Sequence, residues 1–207
     1  MDFIFVFLLS SKILFFISIM KFLYTNIPFV PPIFTTYVED FYLRRYPELR
    51  TPFENNGKEL YKYFYKTGIK EGQGASPAFD VKYYLNKNND LKNVLGSNNY
   101  TAAYEHFMEH GKYEGRDLSP VFHLGYYTEN NPDVATIFGN HTDGIIDHFI
   151  RYGMHEGRPS SPNFNLEAYK SRNDDLKSIF SDNNIEYYYH YCIYGRIEGR
   201  SALFDNN

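Results

Sequence analysis

The chain repeats itself, and that constrains its fold more than any other feature. Turn glycines fall at Gly68, Gly111, Gly153 and Gly195, separated by 43 residues and then twice by 42. Each is followed at a fixed distance by a Glu-Gly-Arg or Glu-Gly-Gln triplet: Glu71-Gly72-Gln73, Glu114-Gly115-Arg116, Glu156-Gly157-Arg158 and Glu198-Gly199-Arg200. An acid followed by a branched aliphatic recurs as Glu48-Leu49, Asp90-Leu91, Asp133-Val134 and Asp175-Leu176, and opening aromatics stand at Tyr37, Phe79, Phe122 and Phe164. Such a period is the mark of stacked supersecondary units that share one core, since a single unit cannot bury its apolar face alone.

Each unit reads as helical. Asp80 is placed to cap a first helix over Val81–Lys87, and Asn88 a second over Asn89–Leu95. In the third unit Asn131-Pro132-Asp133 stands at the latter place, with proline suited to a first helical position. A third helix from about Thr101 to His110 carries Ala103, Tyr104, Phe107 and Met108 at helical spacing. Gly111 follows where a left-handed C-terminal residue is needed, so Gly68, Gly111, Gly153 and Gly195 are expected to be structural turns. No run alternates at strand period for long enough to compete. The expected fold is all-α, a solenoid-like array of four repeats of three short helices, preceded by an N-terminal hydrophobic helix.

The boundaries follow. Residues 1–24 are a hydrophobic leader or membrane anchor and 25–36 a proline-containing linker. The repeats are 37–78, 79–121, 122–163 and 164–203, and 204–207 begin a further one, as a bare half-cap or in a fragment of a longer array. The leader supports a membrane contact through residues 3–24, and a membrane-anchored or secreted location. As a signal peptide it is irregular, with Asp2 where a basic start is usual. As a span it carries Lys12 near its middle, at a cost of roughly 2.5–3.5 kcal/mol. The alternative is a start at Met20 or later and a cytoplasmic chain. The first repeat diverges most, with Tyr37-Val38 for Phe plus Asp, His or Asn, and Gln73 for Arg.

Twenty-one Tyr and 19 Phe predict an aromatic core with hydroxyls at its rim. A formal charge of −4 with interspersed signs disfavours nucleic acid. The lone Cys192 excludes an internal disulfide and reads as a small buried group.

Three sets of residues invite a functional reading. His106, His148 and His190 share one register, but repeats rise by roughly 10 Å and zinc ligands lie about 2 Å from one ion. No metal or other cofactor is therefore expected, and each imidazole reads as hydrogen-bonded inside its unit. The glycine of each triplet reads as a turn that no residue with a side chain makes cheaply. Arg116, Arg158 and Arg200 read as braces onto a nearby carboxylate or helix-end carbonyls, such as the acid Asp133 or Asp175 of the following unit, or else as a row collecting an acidic ligand. Tyr83 and Tyr126, as outer members of tyrosine pairs, are candidates for stacking on sugar rings. Asn99-Tyr100-Thr101 and Asn140-His141-Thr142 match the glycosylation acceptor pattern. No catalytic constellation breaks the symmetry of the repeat.

These residues, from Phe79-Asp80-Val81-Lys82-Tyr83-Tyr84-Leu85 through Asn131-Pro132-Asp133-Val134 and His106-Phe107 to Glu114-Gly115-Arg116, resemble a bacterial-type tandem repeat over about Tyr37 to Asp205. That repeat accompanies some glycosyltransferases and secreted or cell-wall proteins as a non-catalytic accessory array. The resemblance implies a non-enzymatic module at the cell surface that binds glycan or another surface protein or acts as a spacer. The alternatives are a cytosolic scaffold or gene fragment, and an accessory part of an enzyme that degrades cell-wall glycan.

Overall fold

The computed structural model describes residues 33–54 and 56–204. The hydrophobic leader, the first part of the linker and residues 205–207 lie outside the described residues. The described chain is mostly helical, with one two-stranded sheet. No helix among the described residues is long and apolar enough to cross a membrane.

A short helix α1 (Ile33–Thr36) replaces the last part of the expected linker. Thr35 and Thr36 are buried, and Thr36 Oγ1 lies 3.0 Å from the Tyr104 hydroxyl. The first segment then forms α2 (Glu39–Arg45), a 3₁₀ turn at Pro47–Leu49 and α3 (Gly57–Tyr63), which runs on through a π-helical stretch, Phe64–Gly68. The second forms α4 (Val81–Lys87), α5 (Asn89–Leu95) and α6 (Tyr100–Glu109). The third forms α7 (Leu124–Asn130), α8 (Pro132–Phe138), α9 (Thr142–His148) with its π stretch Phe149–Gly153, and α10 (Met154–Glu156). The fourth forms α11 (Leu166–Ser171), α12 (Asp174–Phe180) and α13 (Asn184–His190), which runs into Tyr191–Gly195.

Local chemistry explains the starts. Asp80, His123 and Asn165 stand before α4, α7 and α11, and each side chain accepts a hydrogen bond from the amide three residues on, at 2.9, 3.0 and 2.8 Å. Val38 stands before α2 and has no side-chain acceptor to offer. Asn88 precedes α5 without capping it; its Nδ2 instead donates to the Tyr84 carbonyl at 2.7 Å and ties α5 back to α4.

The ends correct the expected turn. Positive φ occurs at Gly72, Gly115, Gly157 and Gly199, the middle residues of the triplets, and not at Gly68, Gly111, Gly153 or Gly195. In the first, third and fourth segments the amide after the triplet glycine donates to the earlier glycine's carbonyl, at 2.8, 2.9 and 2.8 Å. The triplet glycine's own amide donates to the next carbonyl along. This is the six-to-one and five-to-two pairing of a Schellman motif, with the left-handed residue one turn later than periodicity suggested.

The exit of each segment returns to its start. The amides of Val38, Asp80, His123 and Asn165 donate to the carbonyls of Ala75, Leu118, Ser160 and Ala202 at 2.6–3.1 Å. Successive exits also touch: Ser119 Oγ donates to the Pro77 carbonyl at 2.6 Å, and Ser161 Oγ to that of Pro120 at 3.4 Å. One exit is regular enough to form an antiparallel pair, β1 (Asp117–Ser119) with β2 (Phe122–His123), in register Asp117↔His123 and Ser119↔Phe122. Strands of three and two residues are too short to show a two-residue period in sequence.

One aromatic-rich core runs from Phe41 through Phe107, Phe122 and Phe149 to Tyr188 and Ala202. A smaller cluster about Tyr37, Tyr42 and Phe64 fills the first segment. The first segment also meets the fourth. Phe41 packs edge-on against Tyr189 at 5.0 Å, and Arg44 Nη1 lies 2.7 Å from Glu186 Oε2. In a linear stack a unit touches only its neighbours; here the first and last segments share a face.

Candidate functional site

The histidine register resolves into one bond made three times. Tyr84, Tyr127 and Tyr169, fully buried, share hydrogen bonds with Nδ1 of His106, His148 and His190 at 2.9, 2.9 and 2.8 Å. Burial holds the pKa of His148 and His190 below the ordinary value of 6.5; the Arg158 charge adds to this at His148 and the Arg200 charge at His190. Burial pushes the three phenols well above 10. At His148 and His190 a neutral imidazole facing a neutral phenol is the form the interior favours.

Each tyrosine hydroxyl also explains a glycine. A Cβ on Gly111, Gly153 or Gly195 would stand 1.9, 2.3 or 2.2 Å from the hydroxyl of Tyr84, Tyr127 or Tyr169. Those glycines recur because a hydroxyl occupies the space, not because the backbone turns there. In the first segment Tyr63 replaces the histidine, and Tyr42 donates instead to Gln73 Oε1.

The arginines brace, but within their own segments. Arg116 pairs with Asp90 at 2.8 Å and donates to Asn88 Oδ1 at 2.9 Å; Arg158 pairs with Asp133 at 2.8 Å; Arg200 pairs with Asp175 at 2.8 Å and donates to Asn173 Oδ1 at 2.7 Å. Their Nε atoms bond the triplet acids Glu114, Glu156 and Glu198. The expected reach to the following unit is therefore replaced by a closed intra-segment clamp. Each guanidinium has two carboxylate partners, which disfavours a free anion-collecting row.

Tyr83 is likewise spoken for. Only 8 % of it is exposed, and Lys87 and Arg196 stand over its ring at 5.5 and 5.2 Å, so no sugar could stack on it. Tyr126 is half-buried on α7. Cys192 is buried, its thiol pushed up to about 12 by loss of water. Asn99 and Asn140 are exposed at the starts of α6 and α9.

The accessible aromatics that share a concave surface lie elsewhere. A groove of about 820 Å³ separates α3 and its continuation from α6. Tyr61, Tyr65 and Ile69 line one wall and Tyr104 and Met108 the other. Tyr65 is 58 % exposed. Lys66 and Lys70 stand on the first wall, Glu105 and Glu109 on the second, all exposed. Tyr61 and Tyr104 stand at one repeat position and Tyr65 and Met108 at another, but no recurring charged or imidazole group marks either, so a search for shared chemistry passes over them. The signal available in sequence was the spacing itself: 61, 65 and 69 beside 101, 104 and 108, each a single helical stripe.

No family model, curated protein or solved structure matches the chain.

Proposed function

We propose that this chain is a non-enzymatic helical repeat module, an all-α solenoid-like array of four units bent until the first meets the last. It acts at the cell surface or in secreted form by binding glycan or another surface protein, or as a spacer between them. The observation that carries this reading is the fate of the ionisable groups. The recurring His and Arg side chains are consumed in the same bonds in successive segments, as structural fasteners are. Catalytic groups, by contrast, sit where symmetry is broken and their pKa values are pushed apart for acid and base roles. What breaks the symmetry here is a groove with accessible aromatic rings, a binding feature.

The test is to probe the full chain, fluorescently labelled, against a glycan array and against intact cells before and after surface proteolysis. Saturable binding to either, reduced by Tyr65→Ala, is the expected result. Absence of binding to both, or turnover of a cell-wall polymer by the purified chain, would overturn the reading.

A further inference from the structure

The groove between α3 and α6 has the form of a seat for a third helix, and its charges say which kind. Tyr61, Tyr65 and Ile69 recur every four residues, and Thr101, Tyr104 and Met108 at intervals of three and four. The two helices thus set Tyr61, Tyr65 and Ile69 against Tyr104 and Met108 across a trough, the arrangement that receives an amphipathic helix. Met108 and Tyr65 supply one adaptable and one broad apolar contact to such an anchor.

The charges are sorted by wall. Lys66 and Lys70 are one turn apart on one side; Glu105 and Glu109 are one turn apart on the other. Among the described residues no ion pair joins the two walls; Glu109 instead lies 3.7 Å from its neighbour His110. A ligand along the groove therefore meets positive charge on one flank and negative charge on the other, at one-turn intervals.

The geometry points to an amphipathic helix of a partner protein as the occupant, with an apolar stripe, acids along the flank that faces Lys66 and Lys70, and bases along the flank that faces Glu105 and Glu109. A glycan chain seldom carries both signs sorted onto opposite edges, whereas a helix does so through its 3.6-residue period. The opposite signs of the walls also set direction, since turning the helix end for end brings like charges together. This inference rests on the binding-module reading above and names its partner class.

The test uses the full chain and two labelled peptides of about 14 residues, four helical turns. Both carry a leucine stripe; one has Glu on one flank and Lys on the other, the second Lys on both. Fluorescence anisotropy should show saturable binding of the first peptide. Lys66→Glu with Lys70→Glu should weaken it about tenfold and strengthen the second, because attraction on one wall becomes repulsion. Both lysines are exposed, and an unchanged circular dichroism spectrum and melting temperature would show the variant folded. Peptide binding insensitive to the charge reversal, or retained by Tyr65→Ala, would overturn the inference. So would an array glycan that binds and is lost in Tyr65→Ala while neither peptide binds; that outcome would leave the module reading standing. Failure of peptides, glycans and cells alike would remove both.

Discussion

The first segment and the third align in sequence but are held in two different ways. In the third, bonds are internal: Tyr127 with His148, and Arg158 with Asp133 and Glu156. In the first, His gives way to Tyr63 and Arg to Gln73, and the equivalent contacts shrink to Tyr42 with Gln73 and Gln73 Nε2 with Glu71 at 3.0 Å. Two of its three arginines point outward instead. Arg45 lies 2.8 Å from Asp80 of the second segment, and Arg44 2.7 Å from Glu186 of the fourth. The divergence of the first segment is thus an exchange: internal clamps are given up, and charge is spent on the seams. The third meets its neighbours through Lys112 and Asp143 at 2.8 Å and Tyr188 donating to the Arg158 carbonyl at 3.1 Å.

The comparison can be broken at either end. The largest effect should come from Arg45→Ala, which strands the Asp80 carboxylate, whose side chain is only 6 % exposed. Removing one member of a buried pair costs about 3–5 kcal/mol, and chemical denaturation should report a loss near the lower figure, since Arg45 itself keeps some exposure. Arg44→Ala, at the more open seam, should cost under about 1 kcal/mol. If the two losses were equal, the seams would not differ as argued.

Next comes the space under the tyrosines. Gly153→Val places a branched side chain where the Tyr127 hydroxyl sits, 2.3 Å from the added Cβ. A loss of about 3 kcal/mol is expected from overpacking, partly recovered by adding Tyr127→Phe. Gly68→Ala should be milder. Its Cβ stands 2.8 Å from the Tyr42 hydroxyl, 2.9 Å from Gln73 Oε1 and 3.1 Å from Phe64 Cδ2, wider than the 2.3 Å at Gly153, and the half-buried Gln73 amide ends a flexible side chain that can shift. Melting temperatures of the pair would decide whether the first segment is the looser.

Acid should act on the third and fourth segments and spare the first, which has Tyr63 where they have His148 and His190. His148 and His190 have folded pKa values below 6.5, so the unfolded chain binds more protons than the folded one. Their contribution is complete above about pH 6.5 and is lost as pH falls below it. Denaturant midpoints measured from pH 7.5 to 5 should decline, and His148→Gln with His190→Gln should flatten that decline. A small effect is also expected of Gly115→Ala. Nothing lies within 4 Å of the added Cβ, so the change costs only the left-handed backbone at φ +66°, about 1 kcal/mol. A larger loss would mean the triplet glycines do more than turn the chain.

Much of the helical layout was readable in advance, and the reason is locality. Val81–Lys87 and Asn89–Leu95 fall where the sequence places them, and Asp80 caps the first as its position suggests, whereas Asn88 bonds back to the Tyr84 carbonyl instead of capping the second. Caps reach only three residues, so a short window contains all the information. Both recurring glycines read as turns from the sequence; the triplet glycine is one, with φ between +66° and +71°, and the earlier glycine is not, since period alone cannot say which of the two turns. The arginine partners were assigned to the wrong segment for a similar reason: an acid one repeat away has the same register as an acid in the same repeat. Tyr83 reads as an outer residue from pair spacing, but Arg196, from the far end of the chain, covers it.

The order of residues alone settled the 42-residue period, the helical character and the starts of the helices, because these depend on hydrogen bonds and side-chain periodicity within a few neighbouring residues. Only the assembled fold decided that each arginine clamps its own segment, that a phenol sits on each recurring glycine, and that the first segment shares a face with the fourth. Those outcomes depend on distances between residues from 21 to 142 positions apart, such as Tyr127 with His148 and Arg44 with Glu186. Close packing in a shared core sets such distances, and no local rule contains them.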